Sequence, residues 1–154
     1  MKEYTGAIYT TAKDMYQVWP IATLLYKDLT ADKFKRYIDN TIADIRLEMR
    51  VVFHENKPIA FAVTHRTPVM FLCETKCISI AHIAVEEKNR PQVSAFLAQW
   101  IEHDAKKEGV GAIDIRSQKS NIAADKFNTK NGYKKDESSA WRKRLESEPI
   151  RSRL

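Results

Sequence analysis

Apolar residues recur along this chain with two periods, and the change of period marks the change of element. Residues 4–10 alternate weakly and predict a first strand. Asp14 is placed to cap a helix from Met15, with Val18, Ala22 and Leu25 at helical spacing. Pro20, directly after Trp19, is expected to break or kink it. Thr30 caps a second helix with an apolar stripe of Phe34, Tyr37, Ile38, Ile42 and Ile45. Residues 49–54 and 59–65 read as paired strands around a turn at Glu55-Asn56-Lys57-Pro58. After a less regular stretch, residues 77–85 (CISIAHIAV) are almost wholly apolar or small, the pattern of a strand buried on both faces.

The strongest period follows. Val93, Phe96, Leu97, Trp100, Ile101 and Ala105 define one face of a helix, with Pro91 in its first turn and Gly109 just past its end. Residues 112–116 alternate as a strand. A short helix over 121–130, with Ala124 and Phe127 inward, stops at Gly132, and a last strand runs over 140–145. Late strand–helix–strand steps require parallel pairing, and the hairpin requires antiparallel pairing. The fold class is therefore α/β: a central mixed β-sheet of about six to seven strands, flanked by helices on both faces. One domain is expected over 1–145, with a polar tail at 146–154.

Charge narrows the partners. The net charge is +6, which suits a phosphorylated ligand, a nucleic acid or an acidic protein. No apolar run approaches the roughly 18 residues that span a bilayer. Met1-Lys2-Glu3-Tyr4 lacks the layout of a signal peptide, so a cytoplasmic location is expected. Cys73 and Cys77 have no second Cys/His pair to complete a zinc site; reduced thiols and no metal are expected.

The candidate chemistry sits where the apolar strand meets the long helix. Val85 to Ala95 form a short turn feeding a helix N-terminus, whose free amides and partial positive charge suit a pyrophosphate. Arg90 adds a formal charge, and Ser94 and Ala95 are small. Here the chain resembles the GNAT N-acetyltransferases, whose pattern after a strand ending in valine is V-x4-[QR]-x-x-G-x-[GA]. Val85, Arg90 and Ala95 match it, while Val93 takes the glycine position. The family's second pattern, N-x-x-A-x-x-[FL]-Y-x-x-x-G-[FY], is matched by Asn121, Ala124, Phe127, Gly132 and Tyr133, with Asn128 at the tyrosine position. The resemblance covers residues 76–145 by motif and the first half by topology.

The resemblance implies an acetyl-CoA-dependent N-acetyltransferase. Backbone amides in the Gln92–Phe96 stretch (Val93, Ser94, Ala95 and Phe96 chiefly) would hold the pyrophosphate, with Val93 turned inward. The backbone of Ile83, Ala84 and Val85 would pair with pantetheine, and Asn121 would contact its arm. Asn128 stands where the family has the acid that protonates the thiolate, and an amide cannot donate in that way. No carboxylate lies on the Val85 strand, so His82 is the candidate base. His54, His65, His103 and Tyr133 are lesser candidates. Trp19, Tyr16 and Tyr26 read first as core residues and second as the lining of an acceptor site. The acceptor is an amine of a small molecule or a protein; charged tRNA and a homodimer are kept open by the family resemblance. Two other readings stand beside this one: a GNAT-fold protein that binds coenzyme A or a macromolecule without catalysis, and a small basic nucleic-acid-binding module.

Overall fold

A computed structural model describes residues 3–67, 76–116, 128–135 and 140–145. The chain falls into two units, Met1–His65 with Ala81–Leu97, and Arg66–Ile80 with Ala98–Leu154.

The first unit opens with strand β1 (Thr5–Tyr9) and a helical segment in three pieces: α1 (Ala12–Met15), a 3-10 turn (Tyr16–Val18) and α2 (Trp19–Leu25). The cap is not Asp14, as the sequence suggested, but Thr11. Its backbone is extended and its Oγ1 accepts from the Asp14 amide at 3.2 Å, which places Asp14 in the first turn. The break comes just before Pro20, because proline is compatible with the first turn of a new helix and not with the interior of an old one. Thr30 caps α3 (Ala31–Ala43), accepting from the Lys33 amide at 3.3 Å. Phe34 and Ile38 are buried, but the expected stripe stops there. Ile42 is exposed, and Ile45, beyond the helix end, is 96% exposed.

Strands β2 (Leu47–His54) and β3 (Lys57–Thr67) pair antiparallel from Leu47↔His65 to His54↔Lys57. Their loop is Glu55-Asn56 alone, both at positive φ (51° and 62°), the left-handed pair of a type I′ turn. Lys57 and Pro58, read from sequence as turn, belong to β3. Pro58 lies opposite Phe53 where the register shifts, a place where a missing amide is tolerated. β1 pairs antiparallel with β2, from Thr5↔Phe53 to Tyr9↔Met49. On one face of this sheet Met49, Val51, Phe61 and Val63 join Met15, Val18, Ile21, Phe34 and Ile38 in an apolar core. On the other, Tyr4 packs against Phe96 of the long helix α4 (Arg90–Lys107), at a ring separation of 6.1 Å. Helices thus lie on both faces.

Strand β4 (Cys77–Val85) and α4 contribute to both units. In the second unit, Cys77–Ile80 runs parallel to β5 (Ala112–Arg116), with Cys77↔Ala112 through Ile80↔Ile115. β7 (Ala140–Arg144) pairs antiparallel with β5, and β6 (Lys134–Lys135), which the sequence pattern did not announce, pairs antiparallel with β7. Hydrogen bonding follows the order β1-β2-β3-β4-β5-β7-β6, a mixed sheet. α4 ends in a Schellman motif: Gly109, at φ +71°, donates to Lys106, and Val110 donates to Ala105 at 2.9 Å. Among the described residues no helix is long and apolar enough to cross a membrane.

Candidate functional site

β4 was expected to be buried on both faces throughout. Its first half is largely so, but in its second half Ala81 and Ile83 are exposed, Ile83 at 37%. Alternation puts His82 and Ala84 on the opposite face, and Ala84 belongs to the apolar core beneath α1–α3. The register with β5 ends at Ile80, five residues before the strand does. At the far end the Glu86 amide donates to the Ile59 carbonyl of β3 at 3.2 Å.

His82 is half-buried between two tyrosines. The Tyr37 ring of α3 stands edge-on to it at 5.4 Å, and the Tyr26 ring, just past α2, at 6.5 Å. The Tyr26 hydroxyl lies 3.5 Å from His82 Nδ1; which group donates depends on the tautomer. Burial pushes the His82 imidazole below its ordinary pKa, so it is neutral at physiological pH. Burial also raises the Tyr37 phenol well above its usual range, and its hydroxyl is enclosed without a hydrogen-bond partner among the described residues. Tyr37 was read from the sequence only as part of an apolar stripe; its hydroxyl, in a row otherwise made of Phe and Ile, was the available signal. Trp19 and Tyr16 pack instead on Phe34, at 5.0 and 5.8 Å.

The other histidines are placed differently. His54 lies edge-on to Tyr4, with Nδ1 3.3 Å from the Glu3 carbonyl. His65 is 3.9 Å from Asp44, and His103 is exposed on α4.

Between β4 and α4 the chain winds more tightly than the sequence reading required. Glu87–Asn89 form a 3-10 turn, and α4 begins at once at Arg90. The Asn89 amide donates to Glu86 and the Arg90 amide to Glu87, while Pro91 has none. Of the four amides that a helix leaves open at its start, that of Gln92 is the one without a partner among the described residues. Ser94, Ala95 and Phe96 lie inside α4, where backbone amides belong to the i→i−4 ladder. The cause is compositional. The segment has no glycine to hold an open loop, and Val93 packs fully buried at 0% exposure. Arg90 is exposed. Glu86 Oε2 is buried without a hydrogen-bond partner among the described residues, with Lys88 Nζ 3.8 Å away.

Asn128 lies in the second unit. It is buried, and its carbonyl accepts from the Tyr133 amide at 3.0 Å, closing the turn that Gly132 (φ +83°) completes. Tyr133 is buried, with Lys143 Nζ 5.9 Å over its ring. Asn121, Ala124, Phe127 and Cys73 lie outside the described residues.

No family model and no curated protein matches the sequence. Solved structures do match the fold. A candidate acetyltransferase of the GNAT family from Desulfovibrio desulfuricans superposes with a TM-score of 0.70 at 12% identity, over 92% of this chain and 99% of that one. The ribosomal-protein-S18-alanine N-acetyltransferase of Escherichia coli gives 0.70 at 15% identity, over 96% and 98%. AAC(6')-Iy, in complex with the bisubstrate analogue CoA-S-monomethyl-acetylneamine, gives 0.69 at 13% identity, over 85% and 92%. The fold is that of the GNAT acetyltransferases.

Proposed function

We propose that this protein is an N-acyltransferase that uses acetyl-CoA and transfers the acetyl group directly to a primary amine. The observation that carries the reading is the second half of β4. It presents exposed Ala81 and Ile83 on one face and a neutral, half-buried His82 on the other. The backbone of Ile83, Ala84 and Val85 would lie along the pantetheine arm. Arg90 and the Gln92 amide would meet the diphosphate, with Asn121 assigned to the arm by resemblance. A backbone amide of β4 would polarise the thioester carbonyl as its oxygen gains charge. His82 would accept the proton that the amine sheds on attack, which requires the neutral ring that burial supplies. With an amide at Asn128, the thiolate would leave without a dedicated acid. Coenzyme A itself contributes the activated thioester.

The tight winding after Val85 and the enclosed Glu86 Oε2 favour a second reading, a GNAT-fold chain that binds a partner without transferring anything. Melting with and without acetyl-CoA, followed by thiol release with a panel of amines, separates the two. Transfer predicts a raised Tm and amine-dependent thiol. A raised Tm with no thiol above the hydrolysis background, across the whole panel, favours binding alone. No change in Tm removes coenzyme A from both readings.

A further inference from the structure

Two tyrosines decide which nitrogen of His82 can act. The Tyr37 ring stands almost perpendicular to the imidazole, at 86°, and is itself stacked on the buried Phe34 at 6.4 Å. The Tyr26 ring stands at 81°, and its hydroxyl meets Nδ1 at 3.5 Å. Tyr26 is tied through its backbone: its amide donates to the Ala22 carbonyl and its carbonyl accepts from the Leu29 amide, each at 3.0 Å. The contact thus joins an anchored residue to a ring that is wedged between two others. We propose that Tyr26 is a positioning residue: its phenol oxygen accepts from Nδ1–H, which holds neutral His82 in the Nδ1–H tautomer and leaves the Nε2 lone pair as the base. This rests on the acyltransferase reading above.

A neutral imidazole shares one proton between two nitrogens, and the partner of one nitrogen decides the state of the other. Were the Tyr26 hydroxyl the donor, Nδ1 would hold the lone pair and Nε2 the proton. The ring would then have nothing to offer an amine, because Nδ1 is occupied by the phenol. Histidine in water favours that Nε2–H form, so the useful tautomer needs a partner that accepts at Nδ1. Tyr26 can be that partner. It is 46% exposed, so its hydroxyl hydrogen can rotate toward water while the oxygen faces the ring. In the transfer, the amine nitrogen forms the C–N bond and passes its surplus proton to Nε2. The C–S bond breaks with its electron pair on sulfur. The imidazolium keeps Nδ1–H on Tyr26 and returns the Nε2 proton to solvent. Tyr26 neither gains nor loses a proton, and its oxygen is already placed to meet the positive charge as it forms on the ring.

The test reads the tautomer and the rate separately. Histidine labelled with heavy nitrogen in the intact protein gives ring proton–nitrogen NMR correlations that distinguish the two tautomers. They are recorded at about pH 8, above the ordinary histidine pKa, with His82→Gln to identify the signal. The parent is expected to carry the His82 proton on Nδ1, and Tyr26→Phe to move it to Nε2. In the same variant kcat for amine acylation should fall about tenfold or more, within the roughly 10²–10⁴-fold that a general base is worth, while KM for acetyl-CoA stays as in the parent. Phenylalanine keeps the ring and its packing, so a merely structural role for Tyr26 would move neither readout. A parent protonated at Nε2, or a tautomer that Tyr26→Phe leaves in place, overturns the inference, and amine acylation by that parent would leave the transferase reading standing. A moved tautomer with an unchanged kcat overturns it as well. The expected tautomers in a protein that acylates no amine overturn the transferase reading, and with it the use of Nε2 as a base.

Discussion

On one face of the first unit's sheet, Met49, Val51, Phe61 and Val63 meet the helices in an apolar core. On the other, the neighbouring positions of the same strands place Arg50 at 1% exposure, with Glu48 beside it and Thr64 buried. The two faces are one residue apart in sequence and obey different rules. The apolar face is stabilised by area and shape, and tolerates any residue of suitable volume. The polar face holds a guanidinium out of water, so its stability depends on particular partners. His82 projects from the apolar-core side of β4, and that is why its imidazole is pushed toward the neutral form.

Breaking the apolar face carries the largest penalty. Phe34 touches Tyr16, Trp19 and Tyr37 and is almost wholly buried. Phe34→Ala is expected to cost about 3–5 kcal/mol, read as a lower urea midpoint at constant slope. Since Tyr37 then loses its support, the enclosure of His82 should loosen too, and the His82 pKa by NMR should rise toward 6.5. A pKa unchanged in a folded variant would mean that the aromatic row does not set the site.

The polar face should break at a smaller cost. Glu48→Ala removes an anion from the buried Arg50, and a loss of about 2 kcal/mol is expected, below the range for a fully buried pair because Glu48 is partly exposed. Glu48→Ala with Arg50→Met should recover part of that loss. A double variant as weak as the single one would mean that Arg50 acts through other contacts.

This contrast also explains what the sequence could tell. The apolar periods of β2, β3, β4 and α4 were readable because burial of area leaves a period. The cap at Thr11 was missed because Asp14 is an equally good capping residue, and only the backbone angles decide between them. Ile45 looked like core because a stripe does not announce where its helix ends. The burial of Arg50 left no trace, since an alternating strand would assign it to solvent. The place of His82 on an apolar strand was legible. Its partner Tyr37 was not, because the meeting of α3 with β4 is a tertiary contact. The winding of Glu87–Gln92 was half legible: the missing glycine was visible, and its effect on the free amides was not.

A pH titration sharpens the comparison on the apolar side. The folded pKa of His82 lies below its unfolded value of about 6.5. The unfolded chain therefore binds more protons as pH falls. Stability is complete above about pH 6.5 and declines from there toward the folded pKa. His82→Gln should flatten that limb of the stability profile. Asp44, held to about 2 by Arg46, acts lower: its contribution is present above about pH 4 and lost as pH falls toward 2. A limb just below about pH 6.5 that survives in His82→Gln would assign it to another histidine.

The smallest effect tests what keeps the two faces apart. A slip of one residue between β2 and β3 would turn Arg50 into the apolar core and expose Val51, so the register is worth far more than the turn that sets it. That turn is only Glu55 and Asn56, both left-handed, a conformation that strains Glu55 more than Asn56. Asn56→Gly should therefore stabilise the protein slightly, by a few tenths of a kcal/mol, since glycine accepts positive φ but gains freedom in the unfolded chain. Glu55→Asn should add a similar gain, giving the Asn-Gly pair that type I′ turns favour. Asn56→Val should lose about 1 kcal/mol or more, because a β-branched residue resists positive φ. If Asn56→Val melts like the parent, the turn is not left-handed in solution, and the register must be fixed by the faces themselves.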